Sequence, residues 1–229
     1  CKKHNKQKLY VDIGANIGNH AVSVASNFDM VAAYEPHPVL FRILQANLLS
    51  NDVDISKTHN FGLGAIDEEA TLVQSTKNHG LSKVTEKTTM SSGFFGFADE
   101  DFDRSFKIKL KESMKELKKY SEHLNETFIK IDVEGMEAEI LKSILPILEN
   151  YSPIVAVEWA PSEQPSLELT LKQIKGFKIM GCFIRQSENR FIRFIMNIIH
   201  GRKYVLEEIN FEKTERLYPL VFLIPEIDY

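Results

Sequence analysis

Leu9-Tyr10-Val11-Asp12-Ile13-Gly14-Ala15-Asn16-Ile17-Gly18 is an apolar run that breaks into a glycine-bearing turn. The run predicts a buried strand, and the apolar spacing from Asn19 to Phe28 predicts a helix behind the turn. Strand, glycine turn and helix in that order build a nucleotide site, because glycines let the backbone come close to a ligand. Gly14 and Gly18 stand four apart, which is not the G-x-G-x-x-G spacing that seats a pyrophosphate. A ligand without phosphates is the better expectation. Asp12 points the same way, since a carboxylate beside the turn repels phosphate and suits a cation such as an amino acid's ammonium group or a sulfonium.

Working outward, residues 30–34 read as a second strand that ends at Glu35-Pro36. Pro38 then opens a helix with Leu40, Phe41, Leu44 and Leu48 on one face. Residues 55–66 and 71–74 read as strands around Gly62 and Gly64, and 78–103, rich in Gly, Ser, Thr and Asp, reads as a substrate loop. Phe128-Ile129-Lys130-Ile131-Asp132-Val133 resumes the buried-strand pattern. After Glu134-Gly135 a helix carries Met136, Ile140, Ile144 and Leu148 on one face, with Pro146 set to end or kink it. A strand at 154–157, a helix at 167–174 and strands at 177–184 and 217–224 follow, with 187–216 a lid or insertion before the last strand. The alternation predicts an α/β fold over 1–229, a single domain with a doubly wound, mainly parallel sheet. The last two strands, lacking a plain crossover helix between them, are expected to form an antiparallel edge.

Composition narrows the function classes. The chain has 229 residues, 43% of them hydrophobic and 26% charged, enough for one full core. Its net charge of -4 gives no overall positive field to draw it to nucleic acid, so none is expected as a partner. Two cysteines, Cys1 and Cys182, make neither a metal framework nor a dense disulfide set, which suits a reducing, cytoplasmic setting. No apolar stretch reaches the roughly 18 residues of a spanning helix. The segment 190–203 interleaves Phe191, Ile192, Phe194, Ile195, Met196, Ile198 and Ile199 with Arg190, Arg193, Arg202 and Lys203. An all-round apolar helix is usually buried, and that reading is preferred over contact with a membrane or a lipid carrier.

In an open α/β sheet the ligand sits beyond the carboxyl ends of the strands, and three acidic positions fall there. Asp12 precedes the glycine turn, Glu35 ends the second strand, and Asp132 with Glu134 ends the strand at 128–133. An acid at the position of Glu35 is placed to accept the two hydroxyls of a ribose. Lys130, Asp132 and Glu134 alternate along one strand and share a face. Glu137 and Glu139 lie in a first helical turn, where the macrodipole favours acids, and are read as structural. His79 and Ser82 in the loop and Glu158 beside Trp159 are candidate substrate contacts. No ligand spacing demands a metal, and none is predicted.

Together these residues resemble the FkbM family of S-adenosylmethionine-dependent methyltransferases. Val11-Asp12-Ile13-Gly14-Ala15-Asn16-Ile17-Gly18 resembles its first motif, and Tyr34-Glu35-Pro36-His37-Pro38 with Phe41, Leu44 and Asn47 its second. Ile129-Lys130-Ile131-Asp132-Val133-Glu134-Gly135-Met136-Glu137 resembles the third, and Asn78-His79-Gly80-Leu81-Ser82 is similar, with an offset, to a family loop. The resemblance implies a Rossmann-like, class I methyltransferase fold with S-adenosyl-L-methionine as cofactor. It implies that Gly14, Ala15 and Gly18 pass close to the methionine part of the cofactor, that Asp12 and Asn16 hold its amino group, and that Glu35 with Pro36 takes the ribose. Leu63-Gly64 would flank the adenine. Asp132 and Glu134 are the expected catalytic acids, either of them the base for an acceptor hydroxyl or the pair steering the sulfonium and that hydroxyl by their charge. The implied reaction is O-methylation of a sugar, glycan or secondary metabolite, small or carried on a nucleotide or lipid. A non-catalytic cofactor-binding module and a nicotinamide-dependent oxidoreductase are the rival readings.

Overall fold

The computed structural model describes residues 6–75, 82–84, 102–159, 164–184, 204–211 and 220–226. The chain opens with β1 (Leu9–Ile13), α1 (Asn19–Val24), β2 (Met30–Tyr34), α2 (Pro38–Leu49) and β3 (Thr58–His59). Next come β4 (Gly62–Gly64), β5 (Glu68–Ser75), β6 (Ser82–Val84), β7 (Phe102–Glu112), α3 (Ser113–Leu117) and β8 (Thr127–Ile131). The rest is α4 (Glu137–Ser143), α5 (Leu145–Tyr151), β9 (Ile154–Val157), α6 (Pro165–Gln173), β10 (Phe177–Ile184), β11 (Tyr204–Glu208) and β12 (Leu220–Pro225).

An eight-stranded sheet runs in the order β11-β10-β12-β9-β8-β1-β2-β3. β9, β8, β1, β2 and β3 are mutually parallel, and β1 and β9 are buried at every position, as parallel strands covered on both faces must be. The strand order reverses between β1 and β8, which makes their carboxyl ends the expected ligand crevice. Side chains of β1 alternate between two cores. Leu9, Val11 and Ile13 join the larger core with Ile140, Leu141 and Leu148 of α4 and α5, while Tyr10 packs with Ala21, Leu44 and Leu48 of α1 and α2.

The helices end where their sequence says. Pro38 opens α2, and the His37 ring caps it, Nδ1 accepting from the N–H groups of Val39 (3.1 Å) and Leu40 (3.3 Å). Pro146 breaks the helix after Ser143 and sits in the first turn of α5, as expected.

Three differences from the sequence reading have physical causes. The last strand, β12, does pair antiparallel with β10, but it lies inside the sheet between β10 and β9 rather than at its edge. Its run Leu220-Val221-Phe222-Leu223-Ile224 suits the interior, whereas the antiparallel edge is β11, whose Tyr204, Leu206 and Glu208 are exposed. β11 thus falls within the 187–216 segment expected to be a lid, so that part of it is sheet. Residues 55–66 divide into β3 and β4, which belong to different sheets.

The second sheet, ordered β4-β7-β5-β6, was not expected. Phe106, Ile108 and Leu110 of β7 alternate with Lys107, Lys109 and Lys111, a period of two that places the apolar set inward. β7 pairs antiparallel with β5 and parallel with β4. β6 and the start of β7 lie within the expected substrate loop, and the remainder of 78–103 falls outside the described residues.

Candidate active site

The turn after β1 is built to touch β8. Asp132 N–H donates to Ile13 O at 3.0 Å, so the two strand ends lie side by side. A Cβ on Gly14 would stand 1.8 Å from the Asp132 carbonyl oxygen, and Gly14 has φ +79°. Only glycine fits there. Gly14 and Ala15 both donate to Tyr34 O at 3.0 Å, which ties the turn to the end of β2. Gly18, at φ +87°, lets α1 close on α2, since a Cβ there would lie 2.7 Å from Leu44 Cδ1. Asn47 Nδ2 donates to Ile17 O at 2.7 Å and holds the far side of the loop.

Glu35 is fixed by backbone. Its Oε2 accepts from Asn16 N–H (2.7 Å) and its Oε1 from His37 N–H (2.8 Å). Burial nevertheless pushes its carboxyl up to about 7, against the pull of those two N–H groups. Each carboxylate oxygen keeps a further lone pair for a ligand hydroxyl. Asn60 Nδ2 donates to Glu35 O at 3.0 Å and so steadies the peptide on which the side chain sits.

Acids crowd the end of β8. Lys130 Nζ donates to Asp132 Oδ2 at 2.8 Å and reaches Asp12 Oδ1 at 3.4 Å. Burial disfavours the lysine's charge, but the two carboxylates outweigh it and hold the ammonium above its ordinary range. Asp132, though desolvated, is held below the usual carboxyl range by Lys130 and by a hydrogen bond from Glu158. Glu158 goes the other way. Burial and the neighbouring Asp132 raise its carboxyl well above the ordinary range, so that it stands as the protonated donor of that pair. Glu134 is pushed up to about 7 by burial, then by Asp132 and Glu137.

Glu134 takes φ +52° and Gly135 φ +101°, an uncommon path for the former. Glu137 holds it. Its carboxylate accepts from Val133 N–H (3.2 Å), Gly135 N–H (3.0 Å) and Gln164 Nε2 (2.9 Å). Glu137 is therefore structural, as expected, but through this turn rather than through the helix dipole alone. Glu139 Oε1 likewise accepts from Ala65 N–H at 3.1 Å and pins the exit of β4.

One cleft brings many of the expected residues together. Gly14, Asn16, Glu35, Pro36, Leu63, Asp132 and Glu134 all contribute to its wall. Asp12 is fully buried behind this wall, Ala15 and Gly18 shape the turn, and the Gly64 carbonyl accepts from Ser113 Oγ at 2.7 Å. Glu158 reaches the site through Asp132. Ser82 lies in β6, and His79 lies outside the described residues, as does 190–203. The sequence reading missed the apolar wall, formed by Leu40, Leu72, Val84, Leu110 and Met136, together with Gly62. A Cβ on Gly62 would meet Leu110 Cδ2 at 2.7 Å, so a glycine flanked by strand residues was the available signal. Among the described residues, no group of three or more His, Cys, Asp or Glu side chains is placed to hold a metal ion. No helix among them is long and apolar enough to cross a membrane.

A family model for the methyltransferase FkbM domain matches residues 12–206, a span that contains the turn, Glu35 and the acid cluster. The chain belongs to the FkbM methyltransferase family. A relative, methyltransferase sdnD of Sordaria araneosa, is 29% identical over 203 residues, covering 74% of this chain and 73% of its own length. Among solved structures, the FkbM methyltransferase of Methylobacillus flagellatus KT aligns over 96% of this chain with a TM-score of 0.50 and 17% identity. This chain covers 44% of that one, less than half its length. An rRNA methylase of Streptococcus thermophilus aligns at a TM-score of 0.44 and 10% identity, over 96% of this chain and 87% of its own. The likeness to the FkbM structure agrees with the doubly wound, Rossmann-like sheet described above.

The acid cluster carries a cost to stability. Glu134 has its ordinary carboxyl value of 4.5 in the unfolded chain and about 7 in the fold. A raised value contributes stability that is fully present below the unfolded value and is lost as pH rises through the folded one. Between about pH 4.5 and pH 7 the fold therefore loses stability as Glu134 ionises. Glu134→Gln should make the protein about 1–3 kcal/mol more stable than wild type at pH 8 and nearly equal to it at pH 4. Chemical denaturation at the two pH values reads this directly, and equal midpoints at pH 8 would contradict the assignment.

Proposed function

We propose that the chain is an S-adenosylmethionine-dependent O-methyltransferase acting on a hydroxyl of a sugar, glycan or secondary-metabolite acceptor. The observation that carries the reading is Glu35, a buried carboxylate held open by two backbone N–H groups in the same cleft as Gly14, Asn16 and the acids of β8.

The residues present fit the cofactor. Glu35 offers lone pairs on both oxygens for the ribose hydroxyls, and the wall of Leu63, Leu72, Leu110 and Met136 suits a flat apolar base. The excess of carboxylates over the single lysine at the end of β8 suits a ligand with cationic groups, as an ammonium and a sulfonium are. A pyrophosphate finds the opposite, which disfavours a nicotinamide cofactor. When bound, S-adenosylmethionine supplies a methyl group already activated by positive sulfur, so the protein's work is alignment and proton removal.

The two expected catalytic acids separate by environment. Glu134, with its value near 7, is suited to take the acceptor's hydroxyl proton near neutral pH. Asp132, held ionised by Lys130, supplies a fixed negative charge and a hydrogen-bond acceptor beside it. The nature of the acceptor rests on family resemblance. Labelled S-adenosylmethionine incubated with nucleotide sugars, glycans and lipid-linked saccharides tests function and acceptor class together. Label transferred to a hydroxyl of one class supports the proposal, and transfer to none of them, or to nitrogen, overturns it.

A further inference from the structure

In a parallel strand covered on both faces, a charged side chain is expensive, yet β1 and β8 each carry one at the same level. Asp12 and Lys130 are register partners, flanked in the same row by Ala33 of β2 and Ala156 of β9. Below them on the same sheet face Tyr10 and Phe128 stack with centroids 5.8 Å apart, an apolar floor. The flanking alanines offer no polar group. Lys130 is thus committed to two carboxylates, Asp12 at 3.4 Å and Asp132 at 2.8 Å, and the shorter contact is to the residue that lines the cleft. Asp12 Oδ2 is buried without a hydrogen-bond partner, so the lysine is its main compensation.

We infer that Lys130 is a positioning residue for the transfer reaction: anchored on Asp12 within the sheet, it fixes the Asp132 carboxylate in the wall of the cleft and acts on the chemistry through it. The inference rests on the reading of Asp132 and Glu134 as the reaction's acids. A buried ion pair is weak as a stabilising device, and a pair of apolar residues would pack here at least as well. Its position explains its presence. From β8 the ammonium holds Asp132 Oδ2 along the strand, and from the segment after β9 Glu158 donates to the same carboxylate, so both its neighbours fix its direction. The groups facing Asp132 are Lys130 on its own strand, Tyr10 and Asp12 of β1, His20 of α1, Glu158, and Glu134 and Glu137 beyond the turn; Lys130 is the cation among them that bonds it.

Removing that cation should release Asp132 and raise the values of Asp132 and Glu134 together, because Lys130 lowers both. Lys130→Met leaves Asp12 buried and unpaired, a cost to folding in its own right, so the paired variant Asp12→Asn/Lys130→Met, which removes both charges, is measured beside it, and Lys130→Arg serves as the conservative control. Carbon-13 NMR of the aspartate carboxyls, with the Asp132 signal identified by its loss in Asp132→Asn, should show Asp132 titrating about 1–3 pH units higher in the paired variant than in wild type. The acid limb of the kcat profile should move up with it, and Lys130→Arg should retain most of the wild-type profile. An Asp132 titration and acid limb unchanged in the paired variant would overturn the inference. The NMR titration needs no cofactor or acceptor, so a wild-type protein that fails to bind S-adenosylhomocysteine would sink the proposed function and leave this test standing.

Discussion

Glu134→Gln should lower kcat by about 10²–10⁴-fold, the range that a positioned general base contributes. The amide keeps the size and the turn, since Glu134 is held there by backbone conformation and by Glu137 from outside. What it loses is the ability to accept a proton. Wild-type kcat should therefore rise with pH through about 7 and level off, and the limb should vanish in the variant. Asp132→Asn should also lose turnover, by removing the fixed charge beside the base, while both variants still bind cofactor. Single-turnover rates with bound cofactor measure the chemical step apart from binding. Unchanged turnover in both variants would refute the catalytic assignment. The same Glu134→Gln variant should be the more stable protein at pH 8, because a residue kept near neutrality for function is kept at the expense of the fold.

The largest effect on folding should come from Gly14→Ala. At φ +79° an alanine is already strained, and its Cβ would lie 1.8 Å from a backbone oxygen that no rotamer change can move. Either β1 and β8 separate at their carboxyl ends or the Asp132 peptide turns away. The expected cost is about 4 kcal/mol or more, a fall in Tm of roughly 10 °C for a chain of this size. Gly64→Ala is the control, since its Cβ would meet nothing nearer than 3.6 Å and the reduced freedom of the unfolded chain favours the fold, so its stability should match or slightly exceed that of wild type. Thermal unfolding of both by circular dichroism checks the contrast. Similar Tm values for Gly14→Ala and wild type would contradict the close approach of the two strands.

How much of this could be read beforehand follows the range of each interaction. The strand, turn and helix at Leu9–Val24, the acid ending β2 and the acids ending β8 are local patterns, and each lies where its sequence placed it. The second sheet is not local. It joins β5 to β7 across residues 76–101, and no single window shows that Leu72 and Leu110 will line a cleft with Glu35. The alternation of Phe106, Ile108 and Leu110 with three lysines is a strand signal between 103 and 128 that the sequence reading missed, and nothing local names its partner. The interior place of β12 is also set by pairing, since its apolar run is compatible with an edge or a centre until Val157 and Cys182 are found on its two sides. Within the site the sequence named Asp132, Glu134 and Glu158 as acids, yet their different protonation depends on Lys130, on burial and on one another. Glu137 illustrates the same limit, because its bonds to Val133 and Gly135 exist only once the turn is formed.

The central claim is that the cleft between β1, β2 and β8 holds S-adenosylmethionine through Glu35. Calorimetric titration of wild-type protein and Glu35→Ala with S-adenosylmethionine and S-adenosylhomocysteine tests it most directly. Saturable binding to wild type, weakened about 10- to 100-fold by loss of the hydrogen bonds that the charged carboxylate accepts, is the expected result. Absence of heat with either ligand, or equal affinity in the two proteins, would contradict it.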